Sequence, residues 1–171
     1  MNTGQRFLFL LKDWNMNKEI QYIAKQLQTS YDGEPWFGRA MKKILAEIDP
    51  AMSLQKPNEQ HSILELLYHI INWREFTISR LQAGNDKTVQ YFDEHDWKQL
   101  DHSDTSLWKK GLQLLEDSQE LLLTLLANLP EDILNNQVAD REYNYRFLLN
   151  GIIQHDIYHL GQIAYVKKLL S

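Results

Sequence analysis

Apolar residues recur every three to four positions in three long stretches of the chain and one of moderate length, which is the spacing of one face of an α-helix. These stretches cover about residues 17–31, 62–83, 103–128 and 146–170. A shorter helix is predicted at about residues 36–48. Seven glycines and four prolines are few for a chain of this length, and they disfavour a many-stranded β fold, which needs frequent turns. The pattern therefore predicts an all-α protein.

Breakers and caps give the predicted helices their ends. The run Asp32-Gly33-Glu34-Pro35 should end the first helix, and Asp49-Pro50 the short one. The run Ser62-Ile63-Leu64-Glu65 has the form of a capping box, in which two side chains satisfy backbone N–H groups at a helix start. Ser103 or Asp104 is expected to cap the helix that follows it. The result is a four-helix bundle with long crossover connections.

Two long connections separate the last three of these helices, at residues 86–102 and 131–145. The first is expected to be irregular, but it carries Tyr91, Phe92 and Trp97. A long loop that contains aromatic residues usually packs against the domain. We therefore expect this loop to form one wall of the mouth of any site in the bundle.

The start of the chain differs from the rest. Residues 1–15 fit the helical pattern poorly, so we divide the chain into an N-terminal extension, residues 1–15, and a helical domain, residues 16–171. The apolar run at residues 7–11 is too short to span a membrane, and two charged residues follow it. It also lacks the basic start and the cleavage site of a secretory signal.

Composition narrows the possible functions. The chain of 171 residues has a formal net charge of −5, and its lysines and arginines are scattered, whereas nucleic-acid binding needs a concentrated basic face. It has no cysteine, which excludes disulfides, zinc ribbons, iron–sulfur clusters and a cysteine nucleophile. We therefore predict no nucleic-acid partner and no membrane partner, and we expect a cytoplasmic protein.

The candidate chemistry lies in three histidines. His155 and His159 are four residues apart in the apolar stripe of the last helix, where two side chains lie about 5–6 Å apart and can share one ion. His69 lies among apolar neighbours on another long helix. Buried imidazoles are costly unless their nitrogens have partners. The pattern predicts a site for one divalent metal ion with an open coordination position, and the alternative is three ordinary core histidines.

The remaining histidines are weaker candidates. His61 is expected at the surface or as a helix cap, and His95 and His102 are expected to be exposed. The last helix also carries a string close to the H-E-x-x-H motif of zinc proteases, in which the glutamate is the general base. Here the acid is the shorter Asp156, and no histidine, aspartate or glutamate follows His159 as a third ligand. A zinc protease is therefore not predicted.

Three motifs resemble those of DinB-like (DinB/YfiT-like) proteins. The run Gly33-Glu34-Pro35-Trp36-Phe37-Gly38 is similar to the family's GxxW-G opening. The helix from Ser62 to Ile70, followed by Trp73-Arg74, resembles its first histidine helix. The run His155-Asp156-Ile157-Tyr158-His159-Leu160-Gly161-Gln162-Ile163 resembles its closing H-x-x-x-H-x-G-Q motif. The likeness spans about residues 16–170, with the motifs in the family's order.

The resemblance implies a four-helix bundle with long crossovers and a nickel or zinc ion held by His69, His155 and His159. Members of the family are often homodimers. Some branches are thiol transferases that use bacillithiol, mycothiol or glutathione, and others are described as metal-dependent hydrolases. The reaction cannot be inherited from the fold alone, because one fold carries many chemistries.

Three functions therefore stay open. A divalent ion can deprotonate a thiol, which a low-molecular-weight cosubstrate would supply here for transfer to a small electrophile. The same ion can lower the pKa of bound water to about 7 for hydrolysis. The third possibility is a non-catalytic bundle that binds a metal or ligand. Gln162 is a candidate for orienting water or substrate, and Glu65 for orienting an imidazole. Asp156 is a second such candidate, but we interpret it as a solvated helix charge.

Overall fold

The structure is a computed structural model that describes residues 18–82, 84, 87–130 and 132–171. Within these residues it contains seven α-helices, two short 3-10 helices and no strand, which confirms the predicted all-α fold. The α-helices are α1 (Lys18–Asp32), α2 (Met41–Leu45), α3 (Pro50–Leu54), α4 (Ile63–Leu81), α5 (Val89–Glu94), α6 (Ser106–Ala127) and α7 (Tyr145–Leu170). The 3-10 helices are Pro57–Glu59 and Ile133–Asn135.

Four helices form the body of the domain: α1, α4, α6 and α7. Helix α4 packs against α6 and α7, and α1 packs against the same two helices. Each contributes an apolar face to the core, and the removal of these faces from water is the main favourable term in folding. Fully buried examples, one from each helix, are Ile23, Leu67, Leu115 and Ile163. The arrangement is compatible with the predicted four-helix bundle with long crossover connections.

The capping box predicted at the start of α4 is present. The Ser62 side chain accepts a hydrogen bond from the Glu65 N–H at 3.1 Å, and the Ser62 N–H donates to the Glu65 carboxylate at 2.8 Å. Helix α6 begins at Ser106, slightly later than predicted, and Asp104 accepts a hydrogen bond from the Ser106 N–H at 2.9 Å. These side chains satisfy N–H groups that have no partner within their helices.

The region predicted as one short helix at residues 36–48 is different. Only α2 is helical there, because the chain first turns at Gly38, whose φ of 133° is a value that other residues rarely adopt. The pair Asp49-Pro50, predicted to end a helix, instead begins α3. The Asp49 side chain accepts a hydrogen bond from the Met52 N–H at 2.9 Å, and Pro50 occupies the first helical position.

The connection between α4 and α6, expected to be irregular, contains α5. Thr88 caps this helix by accepting a hydrogen bond from the Tyr91 N–H at 3.1 Å. Phe92 is fully buried against Phe76 of α4, so the connection packs onto the bundle as expected.

Two further expectations concern the membrane and the chain start. Among the helices of the described residues, none has both the length and the apolar character needed to cross a membrane. The predicted boundary between the extension at residues 1–15 and the domain from residue 16 lies outside the described residues.

Candidate metal centre

Helices α4 and α7 bring His69, His155 and His159 together. One ring nitrogen of each lies within 4.8 Å of the others. His69 and His159 are buried, and His155 is half-buried. We refer to these three side chains as the histidine cluster. Their convergence follows from the register of two helices, and their role as metal ligands stays a prediction.

The chemistry of the histidine cluster fits a metal ion. The Nε2 atoms of His69 and His155 are 3.0 Å apart. Two nitrogens that each lie about 2.0–2.1 Å from one zinc ion are at most about 4.2 Å apart, so this separation is compatible with a shared ion. Two unprotonated nitrogens at this distance repel each other unless a proton or a cation lies between them.

The connection after α5 orients the imidazole of His69. Its Nδ1 lies 3.1 Å from the Asp96 main-chain oxygen and 3.1 Å from an Asp96 carboxylate oxygen. Both atoms are acceptors, so Nδ1 donates a proton to them and Nε2 is the nitrogen that faces the other histidines. The same carboxylate accepts a hydrogen bond from the Trp73 indole at 2.6 Å. Sequence reasoning missed Asp96, although it precedes Trp97 in the loop expected to wall the site.

Gln162 orients the imidazole of His159. The Gln162 amide oxygen lies 2.5 Å from His159 Nδ1. Because the amide oxygen accepts, His159 donates from Nδ1 and its Nε2 is free. The Gln162 amide nitrogen lies 3.4 Å from the Tyr158 hydroxyl. In the structure Gln162 contacts a histidine of the cluster. The expectation that it orients water or substrate stays a prediction.

Burial favours the uncharged form of two histidines in the cluster, His155 and His159. Burial is the main cause that lowers the pKa of His155 to about 3, and the neighbouring His159, His69 and Arg74 add to the effect. Burial also lowers the pKa of His159, and the hydrogen bond that His159 donates to Gln162 opposes this by raising it. Both imidazoles are therefore neutral at pH 7, which is the form that binds metals. His155 Nδ1 is buried without a hydrogen-bond partner.

Trp97 covers one side of the histidine cluster. Its ring stacks on His69 with the centroids 4.1 Å apart, and on its other face it stacks on His61 at 3.7 Å. Trp97 is 39% exposed, whereas His69 beneath it is 6% exposed. The Trp97 ring therefore lies between His69 and solvent. Of the three aromatic residues expected to wall the mouth, Trp97 stacks on the cluster, whereas Tyr91 stacks on His95 and Phe92 lies in the core.

The other histidines have separate environments. His61 is exposed at the start of α4, as expected. The expected exposure of His95 and His102 is wrong, because both are half-buried. His95 Nδ1 lies 2.7 Å from the Tyr91 main-chain oxygen, and His102 Nδ1 lies 2.9 Å from that of Leu54. Main-chain acceptors hold these rings against the domain.

Asp156 is not the solvated helix charge that the sequence suggested. Its side chain is fully buried, and its Oδ2 accepts hydrogen bonds from Arg74 Nε at 2.9 Å and Nη2 at 2.8 Å. Burial raises the pKa of the Asp156 carboxyl, and the Arg74 guanidinium opposes that rise. Asp156 lies four residues from Ile152 and four from Leu160, on the buried face of α7. This spacing could have indicated from the sequence that Asp156 is buried. This pairing removes Asp156 as a general base.

Glu65 has other partners than the cluster. Its carboxylate completes the capping box of α4 and forms an ion pair with Lys56 at 2.7 Å. It also lies 3.4 Å from His102 and 3.7 Å from His61. The side chains that contact the imidazoles of the cluster are therefore Asp96 and Gln162, and not Glu65, which the sequence analysis considered for this role.

Most of the chain resembles a known protein family. Residues 26–163 match a family model described as the DinB superfamily. The matched stretch contains all three histidines of the cluster and Asp96. No curated protein and no solved structure matches the chain significantly.

Proposed function

The chain belongs to the DinB superfamily, and from this premise we propose that it is a divalent-metal-dependent enzyme with His69, His155 and His159 as the ligands. One observation carries the proposal. Three buried or half-buried imidazoles from two helices converge, and the Nδ1 partners of two of them leave Nε2 free for an ion. Nickel or zinc suits an all-imidazole ligand set.

The chemistry that such an ion supplies when bound is Lewis acidity, which favours the deprotonated form of a thiol or of water beside it. The residues of the chain do the rest. Asp96 and Gln162 hold two imidazoles in the tautomer that offers Nε2, and Trp97 limits the access of bulk water to His69.

The reaction we propose is transfer of a small-molecule thiol to a small electrophile. One observation disfavours peptide hydrolysis. Asp156 occupies the position of the general base in the protease motif, and in the core it is bound by Arg74. Because the chain has no cysteine of its own, the thiol in the proposed transfer would be a low-molecular-weight cosubstrate. Hydrolysis of a small electrophile without a thiol, and metal or ligand binding without catalysis, are the competing outcomes.

Three expectations from the sequence belong to the same proposal. We propose that the protein acts as a homodimer, that it acts in the cytoplasm, and that residues 16–171 form the metal-binding domain behind an extension at residues 1–15. Gel filtration with light scattering tests the first of these, and a melting curve of the chain lacking residues 1–15 tests the last.

The test of the reaction uses purified protein, with metal added or stripped, and 1-chloro-2,4-dinitrobenzene as a model electrophile. Turnover is measured with and without glutathione or another low-molecular-weight thiol. We expect turnover that needs both thiol and metal and that is lost in His69→Ala but kept in the matched control His102→Ala. Turnover without thiol would replace the transferase proposal with hydrolysis. Stoichiometric metal with no turnover on any electrophile tried would favour the non-catalytic bundle.

A further inference from the structure

A small apolar cavity lies between α4 and α7 beside His155. Its volume is about 160 Å³. An apolar cavity of about 150 Å³ is large enough to bind benzene, and this one, which is open to solvent beside the exposed Phe147, has about that volume. We propose that this cavity binds an uncharged apolar group of the substrate, about the size of one aromatic ring. That this group belongs to a substrate rests on the proposed function. That the cavity binds an uncharged apolar group does not rest on it.

The lining of the cavity sets the chemical class of the group. Its walls are aromatic and aliphatic: Trp73, Phe76, Tyr143, Phe147, Leu148 and Ile152. Thr77 also lines it, but its hydroxyl donates a hydrogen bond to the Trp73 main-chain oxygen at 3.0 Å. None of the described residues that line the cavity is an acid, a lysine or an arginine. A charged group would lose part of its water there without gaining a counter-charge, so the cavity favours an uncharged group.

The position of the cavity connects it to the histidine cluster. His155 lines the cavity, and its Nε2 is the atom that lies 3.0 Å from His69 Nε2. A group bound in the cavity therefore lies next to the predicted metal ligands. A substrate held by its apolar group in this way would have its reactive end at the cluster. Binding of the apolar group of the substrate, which does not react, can then help to position the reactive group of the same substrate.

Gly151 provides space in the cavity. A Cβ atom added at Gly151 would meet nothing within 4 Å. Packing therefore does not require a glycine here, although glycine is less favourable than alanine inside a helix. Larger side chains at this position would occupy the cavity without touching the histidines' hydrogen-bond partners. Gly161, on the same helix, also has open space and is exposed outside the cavity, so it provides a matched control.

The experiment is a titration of the full chain with fluorobenzene, followed by ¹⁹F NMR, with metal added and with metal stripped. Benzoate and benzylammonium are the charged probes. We expect saturable binding of fluorobenzene, at least tenfold weaker binding in Gly151→Leu, and less than a twofold change in Gly161→Leu. The charged probes should bind at least tenfold more weakly than fluorobenzene. Circular dichroism and metal uptake show whether each variant is folded.

Several results would overturn the inference: no saturable binding, equal binding of the charged probes, or unchanged binding in a folded Gly151→Leu variant. If that variant does not fold, Gly151→Ala must weaken binding in the same direction, and an unchanged affinity overturns the inference. The probe requires no metal. Fluorobenzene binding without metal uptake would therefore refute the proposed function alone, and metal uptake without fluorobenzene binding would refute the cavity alone.

Discussion

Two buried polar groups lie side by side between α4 and α7, and they differ in whether the chain supplies a counter-charge. Arg74 and Asp156 form an ion pair that we call the closed pair, because each charge has its counter-charge in the chain. Both side chains are fully buried, two guanidinium nitrogens bind Asp156 Oδ2, and Asp156 Oδ1 has no hydrogen-bond partner. The guanidinium also donates to Ser118 of α6 at 3.3 Å and lies 5.5 Å from the ring centroid of Tyr31 of α1. All four long helices therefore contribute to this one pair.

The histidine cluster begins one residue away on α7, and it contains no charge matched in this way. The Nε2 atoms of His69 and His155 face each other at 3.0 Å, and His155 Nδ1 is buried without a hydrogen-bond partner. The comparison separates a pair whose charges are matched within the chain from a cluster whose facing nitrogens need a proton or a cation between them. A bound metal ion, as in the proposed function, would be such a cation.

The largest expected effect comes from breaking the closed pair. Arg74→Met leaves Asp156 buried without its counter-charge, which should lower the free energy of unfolding by about 3–5 kcal/mol. Urea unfolding of the metal-free protein measures this. The double variant Arg74→Met with Asp156→Leu removes both charges and should recover most of the loss. A single variant as stable as the wild type would show that the pair does not hold the helices together.

The second effect is a loss of metal without a large loss of stability, and it distinguishes the histidine cluster from the closed pair. His155→Ala or His159→Ala should abolish retention of about one divalent ion per chain, because each removes one of three predicted ligands. The metal-free stability of these variants should fall by about 1–2 kcal/mol, less than in Arg74→Met, since the lost ring leaves a cavity but no unpaired charge. Elemental analysis after gentle purification measures the metal, with His61→Ala as the control that keeps it. Equal loss of metal in His61→Ala would contradict the assignment of the ligands.

The third effect concerns the residues that orient the imidazoles. Gln162→Leu removes the acceptor at His159 Nδ1, so the affinity for the ion should fall by about 10–100-fold while the stoichiometry stays the same. Competition with a chelator of known affinity measures the change. The control is Gln154→Leu, an exposed glutamine on the same helix. If both variants bind the ion as tightly as the wild type, the contact with His159 has no role in metal binding.

The histidine cluster could be anticipated from the sequence, but the closed pair could not. Helical periodicity and a capping box locate α4 and α7 within two residues of their observed ends, so the faces that carry the three histidines could be recognised. Which buried position of one helix meets which position of another depends on how the helices are rotated and packed. That information is not contained in either helix's own pattern, and the Arg74–Asp156 pair was missed for this reason.

Asp96 illustrates a second limit on what can be predicted from the sequence. It approaches His69 from a connection 27 residues further along the chain. The path of that connection is set by α5 and by the burial of Phe92, neither of which the apolar periodicity predicted. Loop residues that orient a site are therefore harder to identify from a sequence than the helical residues that form it.

The smallest expected effect tests how the cluster is closed to water. The Arg74–Asp156 pair is covered by the whole bundle, whereas the outer face of His69 is covered by the single ring of Trp97. Stacking of this kind contributes about 0.5–1.5 kcal/mol, so Trp97→Ala should weaken metal binding by only about 2–10-fold. Release of the ion to a chelator should become faster, because solvent reaches His69 more easily. Tyr91→Ala is the matched control, since Tyr91 lies in the same connection but stacks on His95. Stopped-flow release rates measure both variants. Equal rates in wild type and Trp97→Ala would show that the cluster is open to water from another side, and that Trp97 does not limit access to it.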